Sequence, residues 1–168
     1  MSFLRKAGFT LTSALRATVM LLAVVTGVCI LAMVLITCID VVMRIFSRPI
    51  VGVYDLVYVF GAVAMACAIP YTTAVKGHVA IEYFFQKLDK KSRIIVDTFV
   101  RLLGIGLFSM LTHESARIGN NLKASGEVTA TLQLPIFWVS WVIALCCALV
   151  VLVIFYNMTH PGKELVKP

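Results

Sequence analysis

The chain has 168 residues, 61% of them hydrophobic and only 14% charged, with a net charge of +7 and a mean hydropathy of +0.98. Soluble domains are about 45–50% apolar and about 25% charged, and a fold this small buries only about two-thirds of the surface its unfolded chain exposes. The composition therefore argues against a soluble enzyme, a disordered regulator or a disulfide scaffold. At about 20 apolar residues per crossing, the length admits four spans and little else.

The first apolar run, 17–39, has 23 residues without a charge. It is longer than the ~7–15 residues of a signal-peptide core and lacks a small-residue cleavage site, so we read it as a retained span. The second run is 51–75, with Asp55 near its start and Pro70 near its end; the proline removes a backbone donor and should kink the helix one turn before it exits. The third, 94–112, carries Asp97 and Arg101 in its first two turns. The fourth, 134–158, is opened by Pro135, whose fixed φ suits a helix start. All five cysteines fall inside apolar runs, where cysteine behaves as a small hydrophobe, so no disulfide framework is expected. These features predict an all-α integral membrane protein, a single domain over 1–168.

Orientation follows from the basic residues. Arg5, Lys6, Arg16, Lys76, Lys87, Lys90, Lys91, Arg93, Lys163 and Lys167 fall on one side of a four-span chain, and Arg44, Arg48, Arg117 and Lys123 on the other. Ten against four predicts both termini in the cytoplasm. This also turns the +7 charge into a topology signal, with no nucleic-acid partner required. Between the second and third runs, Ile81, Phe84, Phe85 and Leu88 recur at i, i+3, i+4 and i+7. That pattern predicts a short amphipathic helix over 79–90, lying on phospholipid headgroups in the cytoplasmic interface.

Ionisable groups at mid-membrane depth mark transport or catalysis, and the middles of the four runs carry none. Asp97 and Arg101, at i and i+4, can form an intramembrane ion pair on one helix face; the pair either lets Arg101 snorkel to the headgroups or serves an intersubunit contact. Asp40 and Arg44 have the same spacing just past the first run. They read either as the ion pair that ends the span or as charges on a docking surface with Arg48 beside them. A haem needs two histidines at one depth, and His78, His113 and His160 do not provide them. No metal-ligand cluster, catalytic motif or cofactor motif is present, and the sequon at Asn157 reads as chance. Trp138 and Trp141 share a face and form either an aromatic belt or a protein contact. Gly61 with the alanines of the second run, and Gly104 and Gly106 in the third, permit close helix approach. So much small-residue surface predicts a larger membrane partner.

Asp40-Val41-Val42-Met43-Arg44 closes the first run, Pro49-Ile50-Val51-Gly52 leads to Asp55, Gly77-His78-Val79-Ala80-Ile81-Glu82 opens the amphipathic segment, and Leu132-Gln133-Leu134-Pro135 precedes the fourth run. In this order the motifs resemble the DctQ-like small membrane subunit of tripartite ATP-independent periplasmic (TRAP) transporters. The resemblance covers roughly residues 17–158, with Asp55 where the family more often has Glu, and Glu82 where it more often has Asp. It implies a bacterial inner-membrane protein bound to a large multi-span DctM-like subunit that carries substrate and sodium sites, served by a periplasmic DctP-like binding protein. The cargo would be an organic acid of the C4-dicarboxylate or sialic-acid type. The small subunit would be a non-catalytic scaffold, without cofactor. On that reading, Asp40, Arg44, Arg48, Glu114, Arg117, Lys123 and Glu127 dock the binding protein, and Asp55, Gly61, Gly104, Gly106, Trp138 and Trp141 face the large subunit. The competing classes are an independent four-helix membrane enzyme or haem carrier and a small self-assembling channel or multidrug exporter.

Overall fold

The structure, a computed structural model of the chain, describes the backbone of residues 2–75 and 90–159 and the side chains of 13–75, 96 and 98–158. Four helices account for most of it: α1 (Ser2–Ile45), α2 (Val53–Ala74), α3 (Lys90–Ser125) and α4 (Phe137–Thr159). Among the described residues there is no strand, only an isolated bridge between Val128 and Pro135. The expected amphipathic helix, with Ile81, Phe84, Phe85 and Leu88, lies outside the described residues apart from Lys90, which opens α3.

Among the described residues three stretches are long and apolar enough to cross a membrane: Ser13–Ile45, Val53–Ala74 and Phe137–Met158. The expected third span, 94–112, lies in α3, where the side chains of 94, 95 and 97 fall outside the described residues; the described part carries Arg101, and the C-terminal part of the helix bears His113, Glu114, Arg117 and Lys123. Two helices also outrun their apolar segments: α1 continues past Ile39 to Ile45, and α3 past Thr112 to Ser125. Hydropathy drops where a helix leaves the hydrocarbon, whereas its backbone hydrogen bonds continue until a stop residue ends them. Conversely, α4 starts at Phe137, and Pro135 sits in the bridge to Val128 instead of the first helical turn.

The stop residues are explicit. At the end of α1, Arg48 N donates to Met43 O (3.0 Å) and Ser47 N to Arg44 O (3.0 Å), with Ser47 in left-handed geometry at φ 57°. This is the paired 6→1 and 5→2 closure of a Schellman motif, with serine in the position glycine usually takes; Pro49 follows and prevents further helix. At the end of α3, Gly126 (φ 69°) closes the last turn by donating to Leu122 O at 3.1 Å. The buried Pro70 lies inside α2, which runs on one further turn to Ala74. There the hydroxyls of Thr72 and Thr73 both donate to Ile69 O, at 2.9 and 2.8 Å, so their polar hydrogens stay satisfied within the helix.

The helices pack in the order α1–α2–α4–α3. Along the antiparallel α1/α2 contact, Met33 meets Gly61, and Thr26 Oγ1 bonds to Leu22 O (3.0 Å) and across to Ala64 O (3.4 Å). The central pair, α2 and α4, runs parallel. Cys67 and Cys146 touch through their sulfurs at 3.9 Å, and Asn157, only 5% exposed, donates from Nδ2 to Thr73 O at 3.4 Å. Val19, Ala74 and Val153 form one buried cluster, and Leu22, Ala66, Cys67 and Cys146 another. Small side chains thus set the central contact, as expected where close approach of helices replaces the hydrophobic effect. All five cysteines are free thiols. Along α3/α4, again antiparallel, Gly104 faces Ile154 at one level and Gly119 faces Trp141 at another.

Candidate functional site

The end of the molecule that carries both the α1–α2 and the α3–α4 connections gathers most of the singled-out residues. Asp40, one turn before the end of α1, is 5% exposed. Its Oδ2 accepts from Arg44 Nε at 2.7 Å and its Oδ1 from the amide of Ile50 at 3.0 Å. The i, i+4 pair read from the sequence is therefore formed, and it reaches across the turn to hold residue 50. A carboxylate taken this far from water needs such charge-assisted partners. Arg44 remains exposed on its other side and lies over the Tyr54 ring, 5.8 Å from the centroid.

The second carboxylate closes the opposite connection. Asp55, in the first turn of α2, accepts the amides of Thr131 (2.9 Å) and Leu132 (2.8 Å) on Oδ2. An acid in a first turn also complements the positive end of the helix. The connection that it grips is a small closed loop. Thr129 N donates to Leu134 O (2.9 Å), Leu134 N donates to Thr129 Oγ1 (3.0 Å), and Gln133 turns the chain at φ 52°. Just before α2, Gly52 adopts φ 87°, and the Leu132 side chain occupies the space where a Cβ would stand. Gly52 thereby meets two demands at once: a left-handed backbone and room for Leu132.

A third contact joins α3 to the start of α4. The Trp141 ring edge lies where a Cβ on Gly119 would be, Phe137 packs edge-on against that ring with centroids 5.3 Å apart, and Lys123 Nζ sits 5.3 Å from the ring centroid. Arg48, Glu114, Arg117, Lys123 and Glu127 are all exposed, with Arg117 and Glu114 loosely paired at 3.8 Å.

The residues expected to face a larger partner divide. Gly61 and Gly104 are half-buried against Met33 and Ile154 of the same chain. Gly106 is exposed with nothing near it, and Trp138 and Trp141 are 38% and 39% exposed. Arg101 is half-buried; the side chain of Asp97 lies outside the described residues, and with it their expected pairing. Among the described residues no group of His, Cys, Asp and Glu is placed to hold a metal ion. Sequence reasoning missed Gly52, Gly119 and the loop amides of Ile50, Thr131 and Leu132. The glycines were visible but only structure tells which one a neighbour crowds, and an amide acceptor leaves no mark in a sequence.

Compared with known families, residues 33–161 match the DctQ component of tripartite ATP-independent periplasmic transporters. No curated protein matches the chain, and no solved structure does.

Proposed function

The chain belongs to the DctQ family of tripartite ATP-independent periplasmic transporters, as a small membrane component, and from that premise we propose that it is a non-catalytic frame for the transport subunit. In this reading the chain lies in the bacterial inner membrane with both termini in the cytoplasm. It binds a large DctM-like subunit that moves sodium and an organic acid, of the C4-dicarboxylate or sialic-acid type. Its connection-bearing end then faces the periplasm and meets a DctP-like binding protein. The observation that carries the frame reading is the pair of buried or half-buried carboxylates, Asp40 and Asp55, both engaged with backbone amides of the connections. Groups committed to holding loops are poorly suited to passing ions, and rigid loops suit a stationary wall.

The packing register supports α3 as a fourth crossing. From Gly104 to Gly119 it runs beside α4 from Ile154 to Trp141, ~20 Å of shared depth at 1.5 Å per residue. A helix held against a spanning helix over two-thirds of a ~30 Å hydrocarbon core lies in the membrane with it. Arg101, at the far end from Trp141, then sits within reach of the cytoplasmic headgroups. The docking role falls to the exposed charges Arg44, Arg48, Glu114, Arg117, Lys123 and Glu127, with Asp40 holding Arg44 and residue 50 in place. The large-subunit interface falls to the exposed Gly106 and the Trp138 and Trp141 face, with Gly61 and Gly104 ordering the helices behind it; Asp55, bonded to the α3–α4 loop, is assigned to that loop and not to this interface.

The decisive experiment co-expresses the chain with its large subunit and purifies through a tag on either one. We expect a complex that survives mild detergent; recovery of each protein alone overturns the frame reading. Arg48→Glu and Arg117→Glu are expected to lower uptake severalfold while insertion and complex recovery stay at wild-type levels. Uptake unchanged in both removes the docking role.

A further inference from the structure

We infer that Asp55 is the positioning residue that joins the two connections into one docking surface, an inference that rests on the docking role proposed above. The α1–α2 and α3–α4 connections are 76–77 residues apart in sequence at the point where Asp55 bridges them. The first is tied to the end of α1 and the second to the start of α2. The Ile50 amide is fixed by Asp40 of α1, the Leu132 side chain packs against Gly52, and the Thr131 and Leu132 amides converge on Asp55 Oδ2 at 2.9 and 2.8 Å. The loop's own bonds, Thr129 N to Leu134 O and Leu134 N to Thr129 Oγ1, close its base; its tip is held from α2.

The consequence concerns the exposed charges. Arg48 stands two residues before the amide that Asp40 holds, and Glu127 stands in the loop that Asp55 holds. With the α1–α2 connection held by Asp40 and the α3–α4 loop held by Asp55 at the point where that connection enters α2, a partner meets Arg48 and Glu127 at a fixed spacing. Without Asp55 the α3–α4 loop keeps its base and the Leu132 contact at Gly52 but loses both hydrogen bonds at its tip, and a binding partner must itself order the tip amides, which weakens association even though no contacting side chain has changed.

The test uses the complex of the chain with its large subunit. Hydrogen exchange is followed at residues 126–136, together with binding of the periplasmic component and recovery of the complex. Asp55→Ala removes the acceptor. We expect exchange at the Thr131 and Leu132 amides to rise about 10- to 100-fold, as for the loss of two charge-assisted bonds. Binding of the periplasmic component should weaken about tenfold, with recovery of the complex at wild-type levels. Asp55→Asn keeps the shape and one carbonyl acceptor, and both readouts should fall between wild type and Asp55→Ala. Should Asp55→Ala fail to insert, Asp55→Asn alone decides, since both readouts must move.

Unchanged exchange in these variants overturns the clamp. Faster exchange with unchanged binding overturns the positioning role. The underlying docking role is judged separately on the same preparations: if Arg48→Glu and Arg117→Glu also bind normally, that role itself is wrong. If they bind weakly while the Asp55 variants bind normally, only the positioning role falls.

Discussion

Two residues of left-handed backbone flank the first connection, and they carry opposite chemistry. Ser47, at φ 57°, places a side chain where the α1 closure favours glycine, whereas Gly52, at φ 87°, has Leu132 where its side chain would be. Ser47→Gly should therefore stabilise the isolated protein by about 0.5–1 kcal/mol, by relieving a left-handed conformation that L-residues adopt at a cost. Gly52→Ala should destabilise it by about 1–3 kcal/mol, combining backbone strain with overpacking against Leu132. Thermal unfolding in detergent reads both, with Gly27→Ala as the control. Gly27 has open space around its missing Cβ and lies inside α1, so alanine there should be neutral or gain up to about 1 kcal/mol. A Gly52→Ala protein as stable as wild type would mean that Leu132 does not fill that space. At this scale the sequence was partly legible. The Asp40–Arg44 pair could be read from its i, i+4 spacing alone. The partners of Asp55 could not, because they are amides 76–77 residues away that no side-chain pattern marks.

Elements were legible where hydrophobicity decides them and less so where hydrogen bonding does. The apolar runs located all four helices, the run 94–112 falling inside α3, because a lipid-facing helix must be apolar over its crossing. The extension of α3 to Ser125 escaped the apolar criterion, although Lys123 in the last turn and Gly126 just beyond are an ordinary helix stop. The glycines of α3 illustrate the remaining gap. Gly104 and Gly106 were both read as partner surface, yet Gly104 faces Ile154, Gly106 faces nothing in the chain, and the tightest contact is at Gly119 under Trp141. Gly119→Ala should displace the indole and cost about 1–3 kcal/mol, with a shift in tryptophan emission as the ring leaves Phe137 and Lys123. Gly106→Leu tests the other face. In the isolated chain it should leave the melting temperature within about a degree. If α3 meets the large subunit there, it should lower recovery of the complex severalfold. Equal recovery for wild type and Gly106→Leu would move that interface elsewhere on the chain.

The order α1–α2–α4–α3 puts the two stabilised connections at one end of the molecule, so the whole chain has one sided prediction that composition alone could not make. In a variant with its five cysteines replaced, single cysteines at Arg48, Lys123 and Glu127 must all react with a membrane-impermeant maleimide from the same side, because Asp55 at the start of α2, seven residues after Arg48, holds the loop that follows Lys123 and contains Glu127. In the proposed orientation, drawn from ten basic residues against four, that side is the periplasm. Labelling in intact spheroplasts should therefore modify these three and spare a cysteine at Lys163 until the membrane is opened. A cysteine at Lys90 separates the two readings of α3. If α3 crosses beside α4, Lys90→Cys is protected in intact cells while Lys123→Cys reacts. If both react from outside, α3 does not cross, and the ~20 Å of contact between Gly104 and Gly119 and the opposing face of α4 must then form outside the hydrocarbon. That second outcome conflicts with α4 itself. Its stretch from Trp141 to Ile154 contains no charged residue and belongs to a segment apolar enough to span, so the crossing proposed for α3 predicts the first outcome.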